Sequence, residues 1–232
     1  MSALDGFFVG VQVAQRLWAA SQDARMAELQ HLADAASAAD EPQRSIAQGI
    51  ANDHRQLHRA LVESAAVRLA TAWEVFLHEL FVEFVRARPE SLARVWHLGP
   101  GTTLDITDDT ILALVRHHGR PFQDISKARG VLKSYLGEDL FKSAGVVNGP
   151  DLFDFTPVKQ LLVTRHAIVH SGGRATEEFR NACSPTMDPH GYLMAPPQGT
   201  SIPSTQFERL LGEVSAMCTD LHNRAFEDPR SP

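Results

Sequence analysis

Three side chains capable of chemistry lie close together in one short stretch of the chain. Arg165, His166 and His170 interrupt the otherwise apolar run from Leu161 to Gly173. Imidazole takes up or releases a proton near neutral pH, and guanidinium is always charged and matches the geometry of phosphate oxygens. This combination suits acid–base and electrostatic catalysis at a phosphodiester, and the two histidines alone suit metal binding.

Signals at both ends predict that this stretch belongs to a helix. Thr156 is suited to the N-cap and Pro157 to the first helical position, while Gly172 and Gly173 are suited to ending the helix. Arg165 is expected to project from the middle of the buried face. That face is predicted to consist of Val158, Leu161, Leu162, Ile168 and Val169.

A metal site is one interpretation of the two histidines. His166 and His170 are four residues apart and share a helix face, but zinc needs at least one further protein ligand. Candidates for that ligand are His78, His117 and His118. Ala167 stands where the glutamate of an HExxH metalloprotease helix would be. The sequence therefore favours phosphodiester chemistry without a metal or an organic cofactor.

Composition and charge limit the remaining possibilities. The chain has 232 residues, of which 44% are hydrophobic and 22% charged, as expected for one globular domain. A net charge of −6 argues against bulk electrostatic coating of nucleic acid. No signal peptide or apolar run of membrane-spanning length is recognisable, so a cytoplasmic protein with no membrane partner is expected. Cys183 and Cys218 are expected to be reduced thiols.

Basic residues are concentrated between Ala113 and Tyr135, where five of them accompany a single acidic residue. One interpretation is a solvated basic face. The other is a local RNA-binding surface, which requires that this segment folds near Arg165. The candidate RNA contacts are Arg116, Arg120, Lys127, Arg129 and Lys133.

Two long segments without an internal break predict an antiparallel helix hairpin. They run from Gly6 to Ala39 and from Gln43 to Arg88, separated by Asp40-Glu41-Pro42. The second carries a buried stripe predicted to consist of Leu57, Leu61, Ala65, Leu69, Ala72, Phe76, Leu80 and Phe84.

The remaining segments predict an all-α helical bundle in a single domain, residues 1–232, with its core at about 43–173. Shorter helices are expected at 89–96, 110–118 and 124–136. Five prolines within 184–204 predict an irregular loop, and a C-terminal helix at about 205–228 is expected to pack back on the bundle.

Arginine, a polar residue, three further residues and histidine near the end of a late helix resemble the signature of the HEPN superfamily. This superfamily consists of all-α ribonucleases and RNA-binding domains, and here the pattern is Arg165–His170. The segments 58–62 and 70–77 are similar to the corresponding helix of RiboL-PSP-type HEPN proteins. Residues 130–137 are similar to the segment before the motif helix of those proteins.

The resemblance implies a metal-independent endoribonuclease in a toxin or phage-defence setting, with an antitoxin or defence partner protein. By that resemblance His170 is the general acid or base, Arg165 stabilises the transition state, and His166 contacts or positions the substrate. Arg165 and His170 are about 140° apart around an ideal helix. Either the helix loosens before Gly172 or, as the resemblance implies, a second copy of the chain completes the site in a homodimer.

Two alternatives do not involve catalysis. In the first, Arg165 is a buried arginine paired with a carboxylate, and His170 interacts favourably with the C-terminal helix dipole. The carboxylates available are Glu74, Glu79 and Glu83, of which Glu74 is the predicted support of Arg165. In the second, the chain is a non-catalytic HEPN-like module that binds RNA or a protein partner.

Overall fold

The part of the chain that the structure describes is almost entirely helical. A computed structural model describes residues 2–95, 107, 109, 110, 113, 125–136, 139, 156–171, 177 and 204–226. Of these residues about 94% are helical and none lies in a strand, which confirms the all-α prediction. None of the helices in these ranges is long and apolar enough to cross a membrane. They are α1 (Ala3–Ser37), α2 (Glu41–Ala87), α3 (Glu90–Val95), α4 (Ile125–Leu136), α5 (Thr156–Ser171) and α6 (Ser204–Phe226).

Side-chain caps explain where the two long helices begin. The Ser2 hydroxyl accepts the Asp5 N–H at 3.1 Å, and the Asp5 carboxylate accepts the Ser2 N–H at 3.0 Å. At the start of α2, Asp40 Oδ1 accepts the Gln43 N–H at 2.9 Å, and Pro42 lies in the first turn. The predicted loop at 184–204 lies outside the described residues except for Ser204, which begins the last helix instead. Most of the predicted helix at 110–118 also lies outside them.

The predicted hairpin is confirmed, because α1 and α2 pack along each other in opposite directions. Contacts nearer the end of α1 meet residues progressively nearer the start of α2. In order they are the Phe7 and Phe76 rings at 5.7 Å, the Ser21 carbonyl and His58 Nδ1 at 2.8 Å, and the His31 and His54 rings at 5.4 Å.

The chain forms two compact units. The single domain expected from the sequence therefore stays a prediction. The first comprises Met1–Val9, Thr71–Lys159 and Leu210–Pro232; the second comprises Gly10–Ala70 and Gln160–Arg209. In the first, α3 packs against α4, and Tyr135 meets Phe81 edge-on at 4.9 Å. In the second, Trp18 stacks on Phe207 at 4.8 Å and donates from Nε1 to Glu208 Oε1 at 3.4 Å.

The buried stripe of α2 begins later than the sequence predicted. From Ala65 to Phe84 its members are buried, but Leu57 is 49% exposed. Near the interhelical turn the buried contacts are made by small residues, including Ala35 and Ala51, while Met26 and Ile46 are about two-thirds exposed. A stripe of large apolar residues therefore marks the core only where further helices cover the hairpin.

Cys218 on α6 is a buried thiol. Cys218 is fully buried in the apolar face of the helix, which also includes Met217 and Leu221. Removal from water raises the pKa of Cys218 well above its usual value, because burial disfavours the charged thiolate. The predicted reduced thiol is thus also an unreactive one in the folded state.

A carboxylate that the sequence did not single out is buried between α1 and α2. The side chain of Glu28 is 1% exposed and binds two arginines, Arg25 one turn earlier and Arg55 of α2, whose Nε lies 2.7 Å from Glu28 Oε1. Burial alone would raise the pKa of Glu28, but hydrogen bonds from Arg55 and Arg25 outweigh burial and lower it. The carboxylate therefore stabilises the fold in its charged form.

Replacing Glu28 with glutamine is expected to lower the free energy of unfolding by about 1.5–3 kcal/mol at pH 7, the range for hydrogen bonds to charged groups. Because the folded pKa is lowered from 4.5, this contribution is complete above pH 4.5 and is lost as the pH falls through the folded pKa. Urea unfolding at several pH values measures the difference between the two proteins. Glu41→Gln, which breaks the exposed pair with Arg44, is the control and should change little. A difference in the free energy of unfolding that stays the same at the lowest pH would contradict this account.

Candidate functional site

All three residues of the predicted site lie on α5, which is a continuous helix. It is α-helical from Thr156 to Ser171, as the sequence signals predicted. His170 lies in its last turn. The helix therefore does not loosen before Gly172, so Arg165 and His170 keep the separation of about 140° that an ideal helix gives them.

The buried face of α5 is rotated around the helix axis relative to the predicted face, so this prediction was wrong. Val158 and Leu161 are buried, but Leu162 and Ile168 are only half-buried and Val169 is 51% exposed. The buried positions also include two polar residues and two smaller apolar ones, namely Gln160, Val163, Thr164 and Ala167. The prediction weighed only large aliphatic side chains, whereas short or hydrogen-bonding side chains occupy much of the face that packs. Arg165 consequently lies at the edge of the buried face.

The two histidines form an exposed pair. His166 and His170 are both exposed, and their ring centroids are 4.7 Å apart with a tilt of 46°. Arg165 is half-buried, with its Nε shielded from solvent. The exposed Val169 lies between the histidines and Arg165 around the helix. The outer face of α5 therefore presents two imidazoles and an apolar side chain to solvent, next to a guanidinium held closer to the protein.

The carboxylates proposed to support Arg165 have different surroundings. Glu79 pairs with its neighbour His78 at 3.2 Å, and Glu83 accepts the Ala3 N–H at 2.7 Å. Glu74 is half-buried, with its Oε1 shielded from solvent. It belongs to the first compact unit and Arg165 to the second, so the support of Arg165 by Glu74 stays a prediction.

The candidate RNA-binding residues divide into three groups. Arg116 and Arg120 lie outside the described residues. Lys127 and Lys133 are exposed on α4. Arg129 binds the carboxylate of Asp139 with both Nε and Nη2, at 2.8 and 2.7 Å, and both side chains are largely buried. The charge of Arg129 is thus compensated within the protein, which weakens its case as an RNA contact and leaves the two lysines as the accessible cations of α4.

No three His, Cys, Asp or Glu side chains in the described part of the chain are placed to hold a metal ion. His166 and His170 provide two suitable nitrogens on one helix face. Two of the three candidates for a third ligand, His117 and His118, lie outside the described ranges. The described residues therefore supply only a pair of ligands at this face, which is fewer than a zinc site requires.

A concave surface region away from α5 was not predicted from the sequence. Within the first compact unit, a wide-open surface depression lies between the last turns of α2 and α6 and is lined by Glu83, Arg86, Ala87, His222 and Phe226. Each helix contributes residues three or four apart, which is the only signal in the sequence. Nothing in the sequence indicates that these two helix ends meet.

Comparison with known proteins yields no match to any protein-family model, curated protein or solved structure.

Proposed function

We propose that the protein is a metal-independent endoribonuclease of the HEPN type. The observation that carries this proposal is the exposed pair of His166 and His170, with ring centroids 4.7 Å apart, on the same helix as the half-buried Arg165. Exposure gives a substrate access to both imidazoles. Partial burial of the guanidinium limits its motion, which favours a fixed electrostatic contact with phosphate.

The proposed reaction uses the 2′-hydroxyl of the RNA as its nucleophile. A bond forms between this oxygen and phosphorus, and the bond from phosphorus to the 5′-oxygen breaks, which leaves a 2′,3′-cyclic phosphate and a 5′-hydroxyl. His170 takes the proton from the nucleophile or gives one to the leaving oxygen. Arg165 stabilises the negative charge on the phosphoryl oxygens. His166 contacts or positions the substrate, and no cofactor takes part.

A homodimer is part of the proposal, because the two principal groups do not face the same way on one helix. The helix remains regular through Ser171, so a single copy keeps Arg165 and His170 about 140° apart. A second copy of α5, related by a two-fold axis, brings His170 of one chain towards Arg165 of the other. The exposed Val169 supplies apolar contact for such an interface.

The accessible lysines Lys127 and Lys133 are proposed RNA-backbone contacts, together with Arg116 and Arg120 of the same basic segment. Phosphate contacts of this kind provide affinity that falls with increasing salt and carry little sequence specificity. In this proposal the protein acts as a toxin or phage-defence ribonuclease in the cytoplasm, where an antitoxin or defence partner restrains it.

A non-catalytic module is the second candidate function. Its support is a set of exposed apolar side chains near the turn of the α1–α2 hairpin, which would suit a protein partner. They are Met26, Leu29, Leu32, Ile46, Ile50 and Leu57. In this case α5 would bind RNA or protein without cleaving anything.

RNA cleavage in the presence of EDTA distinguishes these functions. The wild-type protein is expected to cleave single-stranded RNA equally well with EDTA and with added magnesium, and to release products that end in a 2′,3′-cyclic phosphate. Mass spectrometry of the products identifies that end group. Loss of cleavage in EDTA would instead support metal binding by His166 and His170. Cleavage that is unchanged in both Arg165→Ala and His170→Ala would rule out the proposed site.

A further inference from the structure

A straight stripe of side chains runs along the open side of α2, within the second compact unit. By helical periodicity its members lie within about 40° of one line along the helix. They are Ile50, Asp53, Leu57, Leu61, Ser64 and Arg68. Leu57 and Ile50 are 49% and 38% exposed, Leu61 is half-buried, and the three polar members are exposed. The stripe is therefore an accessible surface that alternates apolar and polar side chains.

Other positions of α2 make the contacts with α1. They include His54, which stacks on His31, and His58, which hydrogen-bonds to the Ser21 carbonyl. The stripe is thus not used to hold the hairpin together. Substitutions of its exposed members are expected to leave the fold intact.

Two charges of opposite sign lie on the stripe. Asp53 and Arg68 are exposed, and within the described part of the chain neither forms an ion pair. The midpoint between the two positions falls at Ala60 and Leu61, in the middle of the stripe. The charges are therefore placed symmetrically about the centre of this surface.

This symmetry makes the stripe complementary to a second copy of itself. A two-fold axis at the midpoint lays two stripes against each other in opposite directions. Asp53 of each copy then meets Arg68 of the other, so the ion pair forms twice. Leu57 meets Ser64, which places a large side chain over a small one, and Leu61 lies near the axis. Charge and side-chain size match in the same arrangement.

The dimensions of the stripe suit such a contact. From Ile50 to Arg68 the helix rises by about 27 Å, and the two charged positions lie about 11 Å from the axis. Antiparallel helices that cross at about 20° remain close over this distance. The long side chain of Arg68 can therefore reach the carboxylate of Asp53 in the second copy.

We propose that this stripe is a docking surface for a second copy of the chain, which packs its α2 antiparallel to the first. The contact shares no residue with α5, so it is separate from the dimer proposed for the ribonuclease site and does not depend on that function. Two exposed aliphatic side chains per copy make a small interface. We therefore expect a Kd of about 50 µM to 1 mM, above the micromolar range.

Sedimentation velocity of the full-length protein measures this association. Between about 5 µM and 1 mM the average molar mass is expected to approach twice its starting value. The doubling starts from a dimer if α5 pairs and from a monomer if it does not, so the ribonuclease proposal is not tested by the same result. Raising the salt concentration from about 50 mM to 500 mM should weaken the association, because it screens the exposed ion pairs. A wild-type mass that stays constant over the concentration range overturns the proposal.

Charge reversal identifies the pairing. Arg68→Glu and Asp53→Arg each replace two attractive pairs with two repulsive ones, and each is expected to weaken association by about 5-fold to 30-fold. The double variant should associate within about 3-fold of the wild type, because both pairs again join opposite charges. An equal mixture of the two single variants should also associate, since each pair between unlike copies is attractive.

Leu57→Glu should abolish the association, because it places a carboxylate against the second copy near the axis. Arg16→Glu and Met26→Glu, at exposed positions of α1, are the matched controls and should associate as wild type. Circular dichroism verifies the fold of every variant. Association that persists in Leu57→Glu overturns the proposed surface. A double charge reversal that stays as weak as the single variants overturns the antiparallel pairing.

Discussion

Replacing His170 with alanine is expected to lower the rate of RNA cleavage by about 100-fold to 10,000-fold, the usual contribution of one general acid or base. The side chain is exposed in the last turn of α5, so its removal leaves no cavity, and the fold should be retained. Single-turnover kinetics with a labelled RNA measure the chemical step separately from product release. Arg165→Ala should cause a loss of similar size, because it removes the charge that stabilises the phosphoryl oxygens.

Controls separate catalysis from other effects of removing a histidine. His31→Ala removes a partly exposed imidazole that stacks on His54 in the hairpin and should leave cleavage unchanged. His166→Ala should have a smaller effect than His170→Ala, since its proposed role is contact with the substrate. A His170→Ala protein that cleaves at the wild-type rate would exclude His170 from the mechanism, even if Arg165→Ala were inactive.

If the protein forms the proposed dimer, replacing Val169 with glutamate is expected to convert it to a monomer and to abolish cleavage. Val169 is 51% exposed between the two principal site residues, and a carboxylate there would have to be buried without a partner on assembly. Light scattering after size-exclusion chromatography at micromolar concentration measures the molar mass. Val9→Glu, at a valine that is 55% exposed on α1, is the matched control and should remain dimeric and active.

Mixed dimers test whether each site draws on both chains. Arg165→Ala and His170→Ala are each inactive in this account, but a dimer of one with the other contains one intact composite site. After unfolding and refolding together, an equal mixture should recover about a quarter of the wild-type activity, because half of the dimers are mixed and each has one intact site of two. A wild-type protein that is monomeric would remove the basis for the composite site. A dimer whose mixtures stay inactive would show that each site lies within one chain.

Much of the fold follows from local signals. Pro42, together with the cap residue Asp40, ends one long helix and starts the next, so the hairpin is readable from a few residues. The start of α5 at Thr156 and its end before Gly172 are readable in the same way. These signals act within a few residues of where they occur, and no knowledge of distant contacts is needed.

Burial was less predictable, because it depends on which elements cover a helix. Glu28 is a charged residue by type, yet it is buried at the hairpin interface, since two arginines compensate its charge. In the opposite direction, Leu57 and Val169 are apolar but exposed. Residue type predicted the wrong environment in all three cases, and only the packing of neighbouring helices determines the correct one.

The site on α5 and the depression between α2 and α6 differ in how far the sequence reveals them. Arg165, His166 and His170 are neighbours on one helix, so their spacing and their mutual geometry follow from helical periodicity. The depression around Glu83 and His222 joins residues that are more than a hundred positions apart in the sequence. A pattern within one segment has no information about such a pair, and only tertiary structure brings it together.

The buried thiol of Cys218 offers a measure of how often α6 opens. Alkylating reagents attack the thiolate, and burial both excludes the reagent and disfavours that form. In a Cys183→Ser background, where Cys218 is the single cysteine, modification therefore proceeds through transient exposure of the helix. The labelling rate therefore measures how often the helix opens.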